Sequence, residues 1–544
     1  MQPKDQNPND PKALFNNAPM EPRVFYPGLA IVGAACVLMT LFPNTAAIGV
    51  NAAYSFIMKN LSSMFMLFGV ACFALILWLG FGRYGHVRLG GPDEKPEFST
   101  FSWVCMLFAA GCGIGLMIWS VIEPIYYIEG PPMGIEPMSD MAFNWAHMLP
   151  QFHWGFSAWA IYCLPTIPIV YSVYVRREGV FRISDTCRPI LKSQTDGFWG
   201  RGIELFVLLG TIGATGTSLG LAVPLMATLI SNATGIQDTM GLKAVISFVT
   251  FCVFATSAYL GLQKGIQNLT RINVWAAFAL LGMVLFLGPF GFILDTWTNS
   301  LGVLLNNFAA LTFQTEPYRL VAEGGPRDAW PQWWTVFYWA WWVAYAPVVA
   351  LFVARISKGR TIRELVIAEC FWGTLGCWLF LAIFGAYSLY LQKTGLVDVS
   401  GIRQDQGDPA ACLAVMASLP LRSLVIPLYT FNCLLFVATL MDSAAFALAN
   451  ICTKKGYGYG QPARWNRMVW AACIAVFGMG ILITGGESAL KTIQTSTIVG
   501  GVILVPIIII MALSLLKALR EDFGDSQTPR HIISPKLLGK KTAS

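Results

Sequence analysis

An all-α integral membrane protein with about twelve transmembrane helices is the fold class this sequence predicts, on three observations. Of 544 residues, 56% are hydrophobic and only 12% charged, about half the charged share of soluble domains, so a water-facing surface cannot be built from them. Apolar runs recur from Val24 to Leu516, and several, such as Met468–Thr484 and Ile498–Leu516, hold no charge. Each is long enough to cross a hydrocarbon core of roughly 30 Å. Basic residues gather in alternate connections, the pattern that faces the cytoplasm.

Taken in order, residues 1–23 are polar and rich in Asn and Pro, without a cleavable signal pattern, and are expected to form a cytoplasmic tail. Spans follow at 24–43 and 60–82, then Arg83, Arg88 and Lys95. Spans at 101–127 and 143–175 enclose the acidic connection Glu129–Asp140 and lead to Arg176, Arg177, Arg182, Arg188 and Lys192. Three more are expected at 198–231, 242–262 and 270–295. Residues 301–318 are amphipathic, with Leu304, Leu305, Phe308, Leu311 and Phe313 available to one side, so this segment is expected to lie along the outer surface. Spans at 331–356 and 364–391 flank Arg355, Lys358, Arg360 and Arg363, and the acidic connection Val397–Asp408 precedes a span at 422–452. Lys454, Lys455, Arg464 and Arg467 then lead to the last two, 467–484 and 495–517. With the basic connections inside, both termini are cytoplasmic. The tail at 518–544 carries Arg520, Arg530, Lys536, Lys540 and Lys541, an ordinary basic flank or a contact for anionic lipid heads.

The net charge of +7 is spread over these flanks, so it indicates no nucleic-acid partner. The thirteen cysteines are scattered singly without CxxC or His/Cys spacing for a metal, and read as small core residues. No cofactor is indicated. A membrane enzyme would need a placed nucleophile or metal ligands, and no HExxH, GxSxG or clustered carboxylates are read in this chain.

Three features stand out against the apolar background. Gly111-Cys112-Gly113-Ile114-Gly115 lies inside the third run, where each glycine gives up roughly 1 kcal/mol of helix propensity. Such a segment either unwinds to present backbone carbonyls to a cation or polar group, or packs helices closely through small residues. Trp330, Trp333, Trp334, Tyr338, Trp339, Trp341, Trp342 and Tyr345 crowd the start of the eighth run. A membrane interface accounts for the first of them; the deeper ones continue toward Pro347, a residue that can break a helix. Trp154, Trp159 and Tyr162 add rings whose spacing on one helix puts them within about 140° of arc. Rings facing one another across two helices suit a quaternary ammonium, which has no N–H to donate and is held by ring faces worth roughly 0.5–2 kcal/mol each. The third feature is polar groups at depth: Thr211, Thr215, Thr217 and Ser218, then Thr439, Asp442 and Ser443. They either complete the oxygen shell of a sodium ion or satisfy helix carbonyls. His147 and His153 serve a proton relay or a structural hydrogen bond.

The run Phe337-Tyr338-Trp339-Ala340-Trp341-Trp342 followed by Ala354-Arg355-Ile356-Ser357-Lys358-Gly359-Arg360-Thr361-Ile362-Arg363-Glu364 resembles the signature of the betaine/carnitine/choline transporters. Gly111–Met117, Phe152-His153-Trp154-Gly155 and Gly216-Thr217-Ser218-Leu219-Gly220 resemble its other motifs in the expected order. The resemblance implies a leucine-transporter-type fold: two peripheral helices over 24–82, a first inverted five-helix repeat over 101–295, the surface helix, and a second repeat over 331–517. It implies a multi-pass protein of the cell (inner or plasma) membrane, a homotrimer, that imports an onium compound: glycine betaine, carnitine, dimethylsulfoniopropionate or choline. By the same resemblance the aromatic box of the betaine symporters falls on Trp154, Trp159, Tyr162 and Trp342, and the binding aromatics of the carnitine exchangers on Tyr126, Trp154, Trp341 and Trp342. Gly111, Gly113 and Gly115 would face the substrate carboxylate or a sodium ion. Sodium, the expected coupling ion, would be held at Ala109, Cys112, Phe436 and Thr439, with a second site at Thr211 and Thr215. The family's second hydroxyl beside Thr439 is replaced by Leu440, and the exchangers' arginine by Asn273, with Arg271 about 160° away around an ideal helix. Symport with sodium, substrate exchange and proton coupling therefore all stay open.

Overall fold

A computed structural model describes residues 19–177, 181–261, 265–318, 330–454 and 462–524. The tail expectations on residues 1–18 and on Arg530, Lys536, Lys540 and Lys541 lie outside these, as does Lys455. Among the described residues the regular structure is helical, with two isolated bridges, Met20 to Thr453 and Arg88 to Thr361. The order is α1 Pro22–Leu41, α2 Pro43–Asn60, α3 Ser62–Phe81, α4 Thr100–Cys112, α5 Gly115–Glu129, α6 Asp140–His153, α7 Phe156–Val170, α8 Phe198–Thr234, α9 Met240–Leu260 and α10 Gln267–Leu287. Then come α11 Phe290–Phe313, α12 Phe337–Ile356, the helical run α13 Ile362–Thr394, α14 Val399–Gln406, α15 Asp408–Ala417, α16 Arg422–Ile451 and α17 Arg464–Phe523. Among the described residues ten helices are long and apolar enough to cross a membrane, and the bent pair α4 and α5 makes an eleventh.

The last crossing is inside α17. Sixty residues assigned to one helix would extend about 90 Å if straight. Yet Trp470 and Leu208 both approach Gly28, Gly478 lies against Leu219, and Leu504 lies against Gly210. Trp470 and Leu504 thus sit at one level of α8, whereas a straight helix would set them roughly 50 Å apart. The chain folds back between them, and its two arms occupy the runs expected at 467–484 and 495–517.

Three local expectations change. The surface segment expected at 301–318 is the second part of a longer helix, α11, that starts at Phe290. Trp154 is not on one helix with Trp159 and Tyr162: it caps α6, and Gly155 separates it from α7. Pro347 does not break α12, which runs on to Ile356, because a proline removes one hydrogen bond and a packed neighbourhood absorbs the distortion. In the glycine segment, by contrast, Gly113 takes φ 51°, ψ −153°, a conformation no helix continues through, and α5 leaves α4 at 58°.

The first helices of the two sets run antiparallel at the centre. At one end Trp103 of α4 donates its indole N–H to Ser357, just beyond α12 (3.0 Å). At the other, Trp330, before α12, donates to the carbonyl of Gly130, just beyond α5 (3.0 Å). Two helical sets that start from opposite faces are the arrangement in which midplane sites form. Arg467, counted above with a basic connection, is instead buried in the first turns of α17 and paired with Asp442 (3.1 Å).

Candidate functional site

The bend after α4, the cap of α6, and helices α7 and α12 converge on one cluster of rings. Trp154 meets Trp342 edge to face, with centroids 4.7 Å apart at 74°. Tyr162 meets Trp342 at 5.8 Å and 80°, and Trp159 meets Tyr162 at 5.7 Å and 88°. All four are almost fully buried. Trp342 is held by donating to the carbonyl of His153 (3.0 Å), and the buried hydroxyl of Tyr162 has no partner. Edge-to-face packing sets the edge of one ring on the face of the next, so these four side chains form one aromatic cluster.

The glycines explain how the rings fit. A Cβ on Gly111 would lie 2.6 Å from Cη2 of Trp159, and one on Gly115 would lie 3.1 Å from Cη2 of Trp154. One on Gly113 would lie 2.6 Å from Cδ2 of Leu440. The segment therefore both breaks the helix, at Gly113, and admits side chains from distant helices at all three positions.

Trp341 and Tyr126 belong to a second line of rings. Trp341 contacts Trp119 (6.3 Å, 76°), and Trp119 contacts Tyr126 (6.3 Å, 38°). Tyr126 and Trp119 line a cavity of about 460 Å³ together with Pro224, Arg403 and Asp408. The Tyr126 hydroxyl donates to Asp408 (3.0 Å), and the Arg403 guanidinium lies 4.1 Å over the Tyr126 ring. Tyr126 is thus set apart from the Trp154 cluster and joined to it through Trp119 and Trp341.

Of the residues expected around an ion, α4 and α16 bring one set together: Phe108, next to Ala109, packs on Phe436 (6.5 Å), and Gly113 packs on Leu440. Cys112 turns its thiol to Cys377, with the sulfurs 3.2 Å apart. The Thr439 hydroxyl donates to Leu435 O (2.7 Å), Thr211 to Val207 O (2.8 Å) and Thr215 to Thr211 O (2.9 Å). A hydroxyl that donates back to its own helix keeps lone pairs for a cation. Leu440 offers only a methyl group. Asn273 is buried with both amide atoms unpartnered, while Arg271 is exposed and bonded to Asn268. Asp442 accepts from Arg467 and from the Ser257 hydroxyl, a structural pair rather than an open carboxylate. His147 is structural as well, bonded to Ser300 (2.5 Å).

Sequence reasoning missed Glu123. It is 0% exposed, yet three donors meet its carboxylate: Tyr127 at 2.6 Å on Oε1, and Trp154 Nε1 at 2.9 Å and Tyr338 at 2.7 Å on Oε2. His153 Nδ1 lies 2.8 Å from the Tyr127 hydroxyl and 3.4 Å from Oε1, and its Nε2 is 3.1 Å from the Thr335 hydroxyl. A signal was available, since a carboxylate inside an apolar run is a functional candidate by default.

Contrary to the expectation that the chain lacks GxSxG, Gly216-Thr217-Ser218-Leu219-Gly220 spells that pattern, the nucleophile elbow of hydrolases. Here it lies inside α8 and not at a strand-to-helix turn, and Ser218 bonds the Tyr345 hydroxyl at 2.6 Å.

A solved structure of a Na+-coupled sialic acid symporter, in a substrate-bound outward-open state, is 13% identical, with 87% of this chain and 84% of that one covered at a TM-score of 0.39. The pattern of the betaine/carnitine/choline family transporters matches residues 23–524, from the first turn of α1 to the end of α17. A multi-pass helical protein with this match is a transporter and not an enzyme: the chain belongs to the betaine/carnitine/choline transporter family.

Proposed function

We propose that this transporter imports a quaternary ammonium or sulfonium compound, either a zwitterion such as glycine betaine, carnitine or dimethylsulfoniopropionate, or choline, by sodium symport with alternating access. The observation that carries the reading is the chain of edge-to-face contacts that runs from Trp154 through Trp342 and Tyr162 to Trp159. Four ring faces favour a methylated onium, whose charge is spread over carbon and is cheap to desolvate. The line from Tyr126 through Trp119 to Trp341 supports an approach from the face that carries Arg403 and Asp408, the outer face by the distribution of basic loops. Both termini then lie in the cytoplasm. The exposed apolar side chains of α11, Leu305 and Phe313 among them, support lateral contact in a homotrimer of the cell membrane.

Sodium is assigned first to the hydroxyls of Thr211 and Thr215, because the set around Thr439 has lost a ligand at Leu440. That same leucine, packed on Gly113, favours a second reading: sodium-independent exchange of one onium for another, or proton coupling. Uptake of labelled betaine, carnitine, dimethylsulfoniopropionate and choline into proteoliposomes decides between them, with sodium, a proton gradient or internal substrate supplied separately. Accumulation only with external sodium is expected. Equal uptake in potassium overturns sodium coupling, and failure of all four substrates overturns the onium reading.

A further inference from the structure

The cage rings are neutral, yet one of them is wired to a charge. The geometry points to Glu123 as the residue that makes the site select a cation over a neutral molecule of the same shape. This rests on the proposed onium site and deepens it. Trp154 donates its indole N–H to Oε2 of Glu123 at 2.9 Å while its ring meets Trp342 at 4.7 Å. The carboxylate is therefore one indole width behind the cage wall, positioned to act through Trp154 and not to touch substrate.

Two physical consequences follow. An indole whose N–H is given to an anion gains electron density on its face, which strengthens cation–π attraction. The negative charge also acts directly across the ring: at about 8 Å and an effective dielectric near 20, a unit charge pair is worth roughly ten- to thirty-fold in affinity.

The network is built to keep that charge in place. Trp154 can only donate, and the hydroxyls of Tyr127 and Tyr338 donate to the same carboxylate. His153 completes the chain as a neutral ring: Nδ1–H donates to the Tyr127 oxygen, with Oε1 also within 3.4 Å, and Nε2 accepts from Thr335. This tautomer is assigned from the bonding pattern. With Glu123 accepting from all three donors, every group in the network has a partner.

The test is Glu123→Gln, measured by calorimetric titration of the purified full-length protein in detergent. Its amide oxygen can still accept from Trp154 and Tyr338. Its amide N–H₂ is accommodated if Tyr127 accepts from it and His153 changes tautomer, so folding is expected to survive. The ligands are choline, glycine betaine, carnitine and dimethylsulfoniopropionate, each against the isostere in which carbon replaces the charged nitrogen or sulfur. In wild type at least one onium must bind and exceed its carbon isostere; failure of all four overturns the functional reading and this inference with it. In Glu123→Gln the onium is expected to weaken about ten- to thirty-fold and the isostere less than about threefold. Equal weakening of both makes Glu123 a packing residue, and no change in either makes it irrelevant; both results overturn the inference. Should Glu123→Gln not purify as a single species, Tyr338→Phe carries the test. It removes one donor from Oε2 and leaves the charge, so the preference for onium must not fall, and a fall refutes the assignment.

Discussion

Replacing Gly111 by alanine tests whether the glycines of α4 are there to admit the cage. The added Cβ would stand 2.6 Å from Cη2 and 2.9 Å from Cζ3 of Trp159, inside any normal contact. The ring has no room to retreat. Gly373 of α13 also approaches so closely that its own Cβ would lie 2.4–2.7 Å from Cδ2, Cε2 and Cε3 of the same indole. Trp159 packs closely against both glycines, so a Cβ at position 111 must displace its indole. Overpacking of this kind costs about 1–3 kcal/mol, and alanine recovers up to about 1 kcal/mol of helix propensity. A net loss of roughly 1–2 kcal/mol is expected, read as a five- to thirty-fold weaker onium affinity in calorimetric titration. Trp159→Phe removes the part of the indole that meets position 111. The double variant should therefore lose less than the sum of the singles, with a coupling of about 0.5–3 kcal/mol. Strict additivity, or a Gly111→Ala protein that binds like wild type, would refute the reasoning. Gly202→Ala in α8 is the control, because nothing lies within 4 Å of its Cβ position, and it should leave binding unchanged.

Trp342→Ala removes the ring that both Trp154 and Tyr162 contact; onium affinity should fall about tenfold or more while the protein still elutes as one species, and unchanged affinity would move the site elsewhere. Thr211→Ala and Thr215→Ala should each raise the sodium concentration for half-maximal uptake about tenfold or more, whereas Thr439→Ala, beside Leu440, should leave it alone; the reverse pattern would relocate the ion. Arg467→Ala strands Asp442 without its buried partner and should cost about 3–5 kcal/mol, seen as a lower melting temperature. Asp442→Asn added to it should recover part of that loss, since an amide needs no counter-charge. Equal melting of the single and double variants would show that the pair does not interact as the 3.1 Å contact implies.

The crossings were legible in the sequence because bilayer thickness imposes a length on every apolar run, and the fold-back of α17 shows the constraint at work where hydrogen-bond pattern alone would describe one rod. The rings of α12 were legible because tryptophans continue past the depth that an interface explains. What could not be read was which partner each small residue serves. Nothing near Gly113 in sequence announces that Leu440, from α16, lies against it, or that Trp159 needs Gly111 and Gly373 at once. The arc drawn through Trp154, Trp159 and Tyr162 assumed one continuous helix. The interruption at Gly155 removes that premise, yet the rings still meet, because Trp154 is aimed by its bond to Glu123 and not by helix phase. A third run that ends at residue 127 leaves Glu123 one turn from its end, where a carboxylate does not stand out. With α5 extended to Glu129 and packed by α12, the same residue is fully enclosed. Its donors come from both halves of the molecule: Tyr127 and Trp154 from the first helical set, Tyr338 from the second. Any rocking of α12 against α5 must therefore either carry Tyr338 with Glu123 or break that bond. Under the proposed onium reading, the carboxylate bonded to Trp154 ties these rings to the relative position of the two sets, the coordinate that alternating access changes.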